Sequence, residues 1–159
     1  MVPTLTSATL GATAARKAWV DAFRAEKDYF NTCAATPLQA AVGMAVLDEI
    51  ERLDLLATAA RVGDRLTKQL RSRMDRYDAI GDVRGSGLFL GVELIEGGEG
   101  KQPDAQAAVT LSDRLKDKGF LVSYSGKYEN VLKIRPPLVF SHQNADDFLV
   151  AFDACMEEM

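Results

Sequence analysis

The chain has 159 residues, 47% apolar and 26% charged, which is the usage of an ordinary globular protein. Its net charge is -4 with both signs interspersed, so the composition argues against nucleic-acid or anionic-membrane partners. The single histidine, His142, argues against a histidine-based triad or a multi-histidine metal site. The cysteines, Cys33 and Cys155, lack metal-ligand spacing, and we expect reduced thiols in a cytoplasmic protein. No apolar stretch approaches the about 20 residues of a membrane span.

Three helices are predicted in the first half of the chain. The first spans about residues 13–27. The second begins at Pro37, which suits the first position of a helix, and it repeats an apolar residue every four positions over residues 38–50. The third covers about residues 54–76. We expect the apolar stripes of the second and third helices to build a core.

The second half alternates strands and helices. Residues 88–95 alternate with the period of a strand, and residues 104–118 form a helix that ends at a glycine. Two short strands, at about residues 120–124 and 131–135, bracket a polar turn. Ser141 then caps a final helix. This order predicts an α+β fold, in which a small, mostly antiparallel sheet is covered on one face by helices.

A glycine-rich stretch runs from Arg84 to Gly91. A dinucleotide-binding loop needs G-x-G-x-x-G after a strand and at the start of a helix, so that backbone N–H groups meet the phosphates. Here the spacing is G-x-G-x-x-x-G, and the stretch leads into a strand. We therefore reject a dinucleotide site and expect glycines that permit a bulge or a close backbone approach.

Two cations alternate with apolar residues near the end of the chain. The strand period puts Lys133 and Arg135 on one face, while Leu132 and Ile134 point into the core. Adjacent cations repel unless an anion or a carboxylate lies between them. An anion-binding site for a substrate carboxylate or phosphate is one interpretation, and a solvated sheet face is the other.

The loop of residues 31–37 contains small and polar side chains just before a helix. Such loops bind anions in some proteins, but a plain N-cap by Thr36 is favoured here. Cys33 is interpreted as a small buried side chain, because no histidine lies near it in sequence to activate a nucleophile. His142 is interpreted as a surface residue in the first turn of the last helix.

Three stretches carry a resemblance to a known family. They are Y-F-N-T at residues 29–32 with the P-L that follows at 37–38, G-D-V-R-G-S-G-L-F-L-G-V-E-L at 81–94, and N-V-L-K-I-R-P-P-L at 130–138. In this order and spacing the chain resembles the C-terminal third of class-III pyridoxal-phosphate-dependent aminotransferases. It is most similar to the subgroup of alanine–glyoxylate aminotransferase-like enzymes and phospho-lyases.

The resemblance implies the small C-terminal domain of a fold-type I enzyme. Residues 1–36 would be an N-terminal arm, a helix and a connecting loop, and residues 37–159 the small domain. The implied activity is transamination of an amine or amino acid to an oxo acid in a homodimer. Alternatives are a phospho-lyase acting on a phosphorylated amine, or a non-catalytic interaction domain. We expect no stable pyridoxal phosphate and no catalysis in this chain alone, since no segment matches the Schiff-base lysine.

The resemblance also implies roles for individual residues. Thr32 matches a threonine that reaches the cofactor phosphate of the partner subunit. Lys133 lies where family members often place an arginine for the substrate carboxylate, and Arg84 matches another family arginine. With Arg135, these two form the predicted substrate-binding set. Residues 34–36 depart from the two glycines and the asparagine of the family, and the added methyl groups narrow this loop.

Overall fold

The computed structural model describes residues 14–29, 36–97 and 100–159. Two compact units comprise residues 1–53 and 54–159. Our predicted domain boundary after residue 36 stays a prediction, because compact units need not coincide with the domains of a longer protein.

The described residues contain the helices α1 (Lys17–Glu26), α2 (Pro37–Arg52), α3 (Leu55–Ser72), α4 (Ala105–Asp117) and α5 (His142–Glu157), and the strands β1 (Ile80–Ser86), β2 (Phe89–Leu94), β3 (Ser123–Ser125) and β4 (Val131–Ile134).

Both helices of the first unit were predicted, and α2 starts directly after its N-cap residue, Thr36. The Gln39 N–H donates to Thr36 Oγ1 at 3.3 Å, and the Thr36 N–H donates to Gln39 Oε1 at 2.9 Å. This reciprocal pair is a capping box, which satisfies two free N–H groups at the helix start. The plain N-cap expected for Thr36 is therefore confirmed. Within the described residues, α1 begins at Lys17.

The expectation that α2 contributes to a core is wrong for the described residues. Leu38 is 74% exposed, and neither α1 nor α2 contains a buried residue. An apolar stripe becomes a core only where another layer covers it. The described part of the first unit consists of two helices, which leave their apolar side chains largely exposed.

The second unit confirms the α+β fold. Its sheet has the order β1-β2-β4-β3, and every neighbouring pair is antiparallel. Helices α3 and α4 pack on one face of this sheet, and α5 packs against α3 and α4. The core lies between the two layers, and its largest fully buried side chains include Leu66, Leu90, Leu111, Leu132 and Phe152. Among the described residues, no helix has the length and apolar character needed to cross a membrane.

Strand β1 was not predicted. The sequence indicated a single strand over residues 88–95, whereas the structure has a hairpin whose turn is formed by Gly87 and Leu88. β1 contains two glycines and three polar residues, and its buried side chains are Ile80 and Val83. A strand with so little apolar alternation forms because its partner β2 supplies the pairing.

The helix ends of the second unit are capped, as predicted for Ser141 and Gly119. Asp104 caps α4 by accepting a hydrogen bond from the Ala107 N–H at 2.8 Å. Gly119, with φ of +91°, follows α4 in the left-handed conformation that favours glycine. Ser141 forms a capping box with Asn144 at the start of α5. His142 is the exposed first residue of α5, as expected.

A close backbone approach ties α3 to the β1–β2 turn. A Cβ added to Gly63 would lie 2.1 Å from the carbonyl oxygen of Gly87. Gly87 itself has φ of +53°, which favours glycine. The expectation that the glycines near Arg84 permit a close backbone approach is therefore confirmed. The glycine that completes this contact, Gly63, lies on the helix and was not predicted.

We expect Gly63→Ala to destabilise the chain by about 1–3 kcal/mol, the usual cost of forcing atoms into a packed site. This loss should appear even though alanine favours a helix by about 1 kcal/mol over glycine. Urea unfolding followed by circular dichroism measures it. Gly97→Ala is the matched control, because a Cβ there would lie 3.8 Å from its nearest neighbour, the Cβ of Asp78. A Gly63→Ala variant as stable as the parent would contradict the close approach.

Candidate functional site

The face of the sheet that points away from α3, α4 and α5 carries a group of charged side chains. We call it the outer face. The alternation along each strand sends Val83, Leu90, Leu132 and Ile134 into the core, and it leaves the intervening residues on the opposite side. The outer face comprises Asp82, Arg84, Phe89, Gly91, Glu93, Lys133 and Arg135.

The strand register aligns the predicted site residues Arg84 and Lys133. Arg84 pairs with Gly91, and Gly91 pairs in turn with Lys133. Directly paired residues of antiparallel strands share a face, and two strand spacings separate the two cations by about 10 Å at the backbone. Gly91 has no side chain, and the Val131 side chain lies close to it, since a Cβ added at Gly91 would be 3.0 Å from Val131 Cγ1.

Arg84 is paired with two carboxylates. Its Nη1 donates to Asp82 Oδ2 at 2.7 Å and to Glu93 Oε2 at 2.6 Å. These two hydrogen bonds, of which the one to Asp82 has the larger effect, raise the pKa of Arg84 above its usual range. The guanidinium is half exposed, but its positive charge is balanced by the carboxylates of Asp82 and Glu93. Asp82 and Glu93 were not identified from the sequence, because finding them requires β1 and its register.

Lys133 has no such partner. Its side chain is half-buried between the anchors Leu132 and Ile134, which are fully buried. In residues 14–29, 36–97 and 100–159, no carboxylate forms a salt bridge with it. The prediction that Lys133 leaves the core side of its strand is confirmed. Within the described ranges, its ammonium therefore lacks a carboxylate partner.

Arg135 follows the end of β4 and is exposed. Its guanidinium carbon lies 5.7 Å from the centre of the Phe89 ring, a distance at which a cation is attracted to an aromatic face. Among the described residues, no salt bridge involves Arg135. Within this part of the chain, no carboxylate therefore pairs with either Lys133 or Arg135.

The remaining candidates from the sequence are Thr32 and the two cysteines. Thr32 and Cys33 lie outside the described residues. Burial raises the pKa of the Cys155 thiol, which keeps it protonated and unreactive. The described residues contain no group of histidine, cysteine and acidic side chains that fits a metal ion.

The described residues do not form a pyridoxal-phosphate site. Such a site needs a lysine for the imine and an acidic partner for the pyridine nitrogen. Every lysine in the described ranges is exposed except Lys133, which is half-buried, and Lys17 forms a salt bridge with Asp21. The carboxylates nearest Lys133 in the strand register, Asp82 and Glu93, are bound to Arg84.

The family model of class-III aminotransferases matches residues 6–156. The chain therefore belongs to the class-III aminotransferase family. A relative from Drosophila melanogaster, named alanine–glyoxylate aminotransferase 2-like, is 39% identical over 129 residues, which are 80% of this chain and 26% of the relative. Ethanolamine-phosphate phospho-lyase homolog 1 from Caenorhabditis elegans is 33% identical over 151 residues, which are 94% of this chain and 32% of the relative.

Solved structures agree with this membership. A phospholyase from Arthrobacter in complex with phosphoethanolamine superposes with a TM-score of 0.86 and 34% identity, covering 90% of this chain and 34% of that one. An aminotransferase from Bacillus anthracis gives a TM-score of 0.80 at 28% identity, covering 91% of this chain and 34% of that one. The chain spans about a third or less of the length of these proteins.

We expect the 159-residue chain to form no specific adduct with pyridoxal phosphate, because none of its described lysines has the surroundings that an imine requires. The chain is mixed with the cofactor, reduced with borohydride and mapped by mass spectrometry. Scattered partial labelling of exposed lysines is the expected result. Stoichiometric labelling of one lysine would show that the chain contains a cofactor site.

Proposed function

We propose that this chain is the small domain of a pyridoxal-phosphate-dependent aminotransferase and that its outer face binds the anionic group of the substrate. The reaction would convert an amine or amino acid to an oxo acid. The observation that carries the proposal is that Lys133, half-buried on the outer face, has no salt-bridge partner among the described residues.

Electrostatics favours an anion at this position. Lys133 and Arg135 are two residues apart on one face, which puts their backbones about 6–7 Å from each other. Two cations at this separation repel, and an anion between them converts the repulsion into two attractions. Because Lys133 is partly shielded from solvent, its interaction with an anion is screened less than that of an exposed lysine.

The two cations would contribute differently. Lys133 is anchored by buried neighbours on both sides, so it supplies a fixed positive charge with three donors. Arg135 is exposed and rests on Phe89, so it would swing onto the anion from the edge of the sheet. Direct substrate contact by Arg84 stays a prediction, and it competes with a role through Asp82 and Glu93, to which Arg84 Nη1 already donates.

A phospho-lyase acting on a phosphorylated amine is the second candidate. Lysine offers a point charge in place of the planar fork of arginine, which suits a phosphate at least as well as a carboxylate. The solved phospholyase that superposes on most of this chain was bound to phosphoethanolamine. For either reaction the cofactor chemistry would come from the remainder of a longer protein.

Three further expectations belong to this proposal. Pyridoxal phosphate is the cofactor of the full-length protein, and Thr32 would contact its phosphate across a homodimer. The cytoplasmic location expected from the cysteine usage is also part of it. A non-catalytic interaction domain is the competing proposal, and a natural gene product no longer than this chain would favour it.

In the full-length protein, Lys133→Ala should raise KM for the anionic substrate about tenfold or more, because a hydrogen bond to a charged group is worth about 1.5–3 kcal/mol. Steady-state kinetics with L-alanine and with phosphoethanolamine measures this effect and shows which anion the site accepts. Pyridoxal-phosphate occupancy, followed by absorbance, should not change.

Lys68→Ala is the matched control. Lys68 is an exposed lysine on α3, in the helical layer that covers the opposite face, so its loss should leave KM unaltered. If Lys133→Ala lowers stability while KM stays at the parent value for both substrates, the cations are structural and the proposed anion site is wrong.

A further inference from the structure

We propose that Arg84 is a positioning residue, which holds Asp82 and Glu93 and thereby keeps these carboxylates from neutralising Lys133. This inference rests on the proposed function only where it concerns substrate affinity. The charge arrangement itself can be tested without a substrate.

Glu93 lies within reach of Lys133. Gly91 is the direct partner of Lys133 and Glu93 is the next outward-facing residue on β2, while Val131 is the direct partner of Glu93. Diagonal neighbours of this kind are about 7–8 Å apart at the backbone. A lysine side chain, about 6 Å long when extended, spans that distance together with a glutamate. Lys133 and Glu93 nevertheless form no salt bridge in the described structure.

Arg84 accounts for this separation. Asp82 and Glu93 are direct partners across β1 and β2, and like charges directly opposite each other repel. The Arg84 guanidinium bonds to Asp82 at 2.7 Å and to Glu93 at 2.6 Å. Its positive charge therefore cancels the repulsion between these two carboxylates. Without Arg84, Glu93 would be pushed away from Asp82, and the nearest cation on the other side is Lys133.

The consequence for an anion follows from the charges. With Arg84 present, the outer-face side chains Asp82, Glu93, Arg84, Lys133 and Arg135 have a net charge of +1, and Lys133 is a separate cation. With Arg84 removed, the net charge of this face is 0, and Glu93 is left to pair with Lys133. A substrate anion would then meet a weaker attraction from the face and an ammonium already paired with a carboxylate. Arg84 would thus set anion affinity without touching the anion.

The reactivity of the Lys133 amine tests the arrangement directly. The 159-residue chain is treated with a limiting amount of an amine-reactive reagent, and the labelling of each lysine is quantified by mass spectrometry. In Arg84→Gln, labelling of Lys133 should fall about threefold to fivefold, as expected for a new ion pair at a partly exposed site. Labelling of Lys68 in the same sample should be unaltered and serves as the internal reference.

Two further variants identify the cause. Arg84→Gln combined with Glu93→Gln should restore the labelling of Lys133, because the competing carboxylate is gone. Arg84→Lys keeps the positive charge and should stay close to the parent. If Arg84→Gln fails to fold, the double variant Asp82→Asn with Arg84→Gln also removes the repulsion between the two carboxylates. We still expect reduced labelling of Lys133 in this variant, because Glu93 has no Arg84 to pair with. Unchanged labelling of Lys133 in the folded variant that lacks Arg84 would overturn the proposal.

Kinetics of the full-length protein separates this proposal from the proposed function. KM for the anionic substrate should rise about threefold to fivefold in Arg84→Gln with kcat unaltered, and it should return towards the parent value in the Arg84→Gln and Glu93→Gln combination. If labelling responds as expected while KM responds in neither Arg84→Gln nor Lys133→Ala, the ion-pair competition is confirmed and the substrate subsite is wrong.

Discussion

The register of β2 determines what the outer face can do. This strand pairs with β1 along one edge and with β4 along the other, so each of its outward positions joins a residue from each neighbour in one row. At Gly91 the row places Arg84 and Lys133 on either side of a residue that has no side chain. At Glu93 the row places Asp82 of β1 directly opposite, so that two carboxylates face each other. A shift by one residue would send all of these side chains into the core.

The helical layer supports that register at one point of backbone contact. α3 passes directly over the β1–β2 turn, where Gly63 and Gly87 meet without side chains between them. The turn fixes where β1 starts to pair with β2, and hence where Arg84 lies relative to Glu93. Packing on one side of the sheet is thereby connected to the arrangement of charges on the other.

Much of the fold could be predicted because the local signals agree with the tertiary structure. The Ser141 cap, the glycine that ends α4 and the apolar stripe of α3 identify their helices. The period of two correctly separates Lys133 from Leu132 and Ile134. β1 could not be predicted because glycine and polar residues dominate it, so its strand conformation depends on pairing with β2. The ion pairs of Arg84 depend on that missing strand, and no single-sequence pattern indicates them.

The central claim is that the unpaired ammonium of Lys133 binds the anionic group of the substrate. A crystal structure of the full-length protein with phosphoethanolamine or an amino acid bound tests it most directly. The account predicts that Lys133 Nζ donates to the substrate phosphate or carboxylate at about 2.7–2.9 Å, with Arg84 still bound to Asp82 and Glu93. A substrate anion held by other residues, with the Lys133 ammonium in solvent or paired with Glu93, would contradict it.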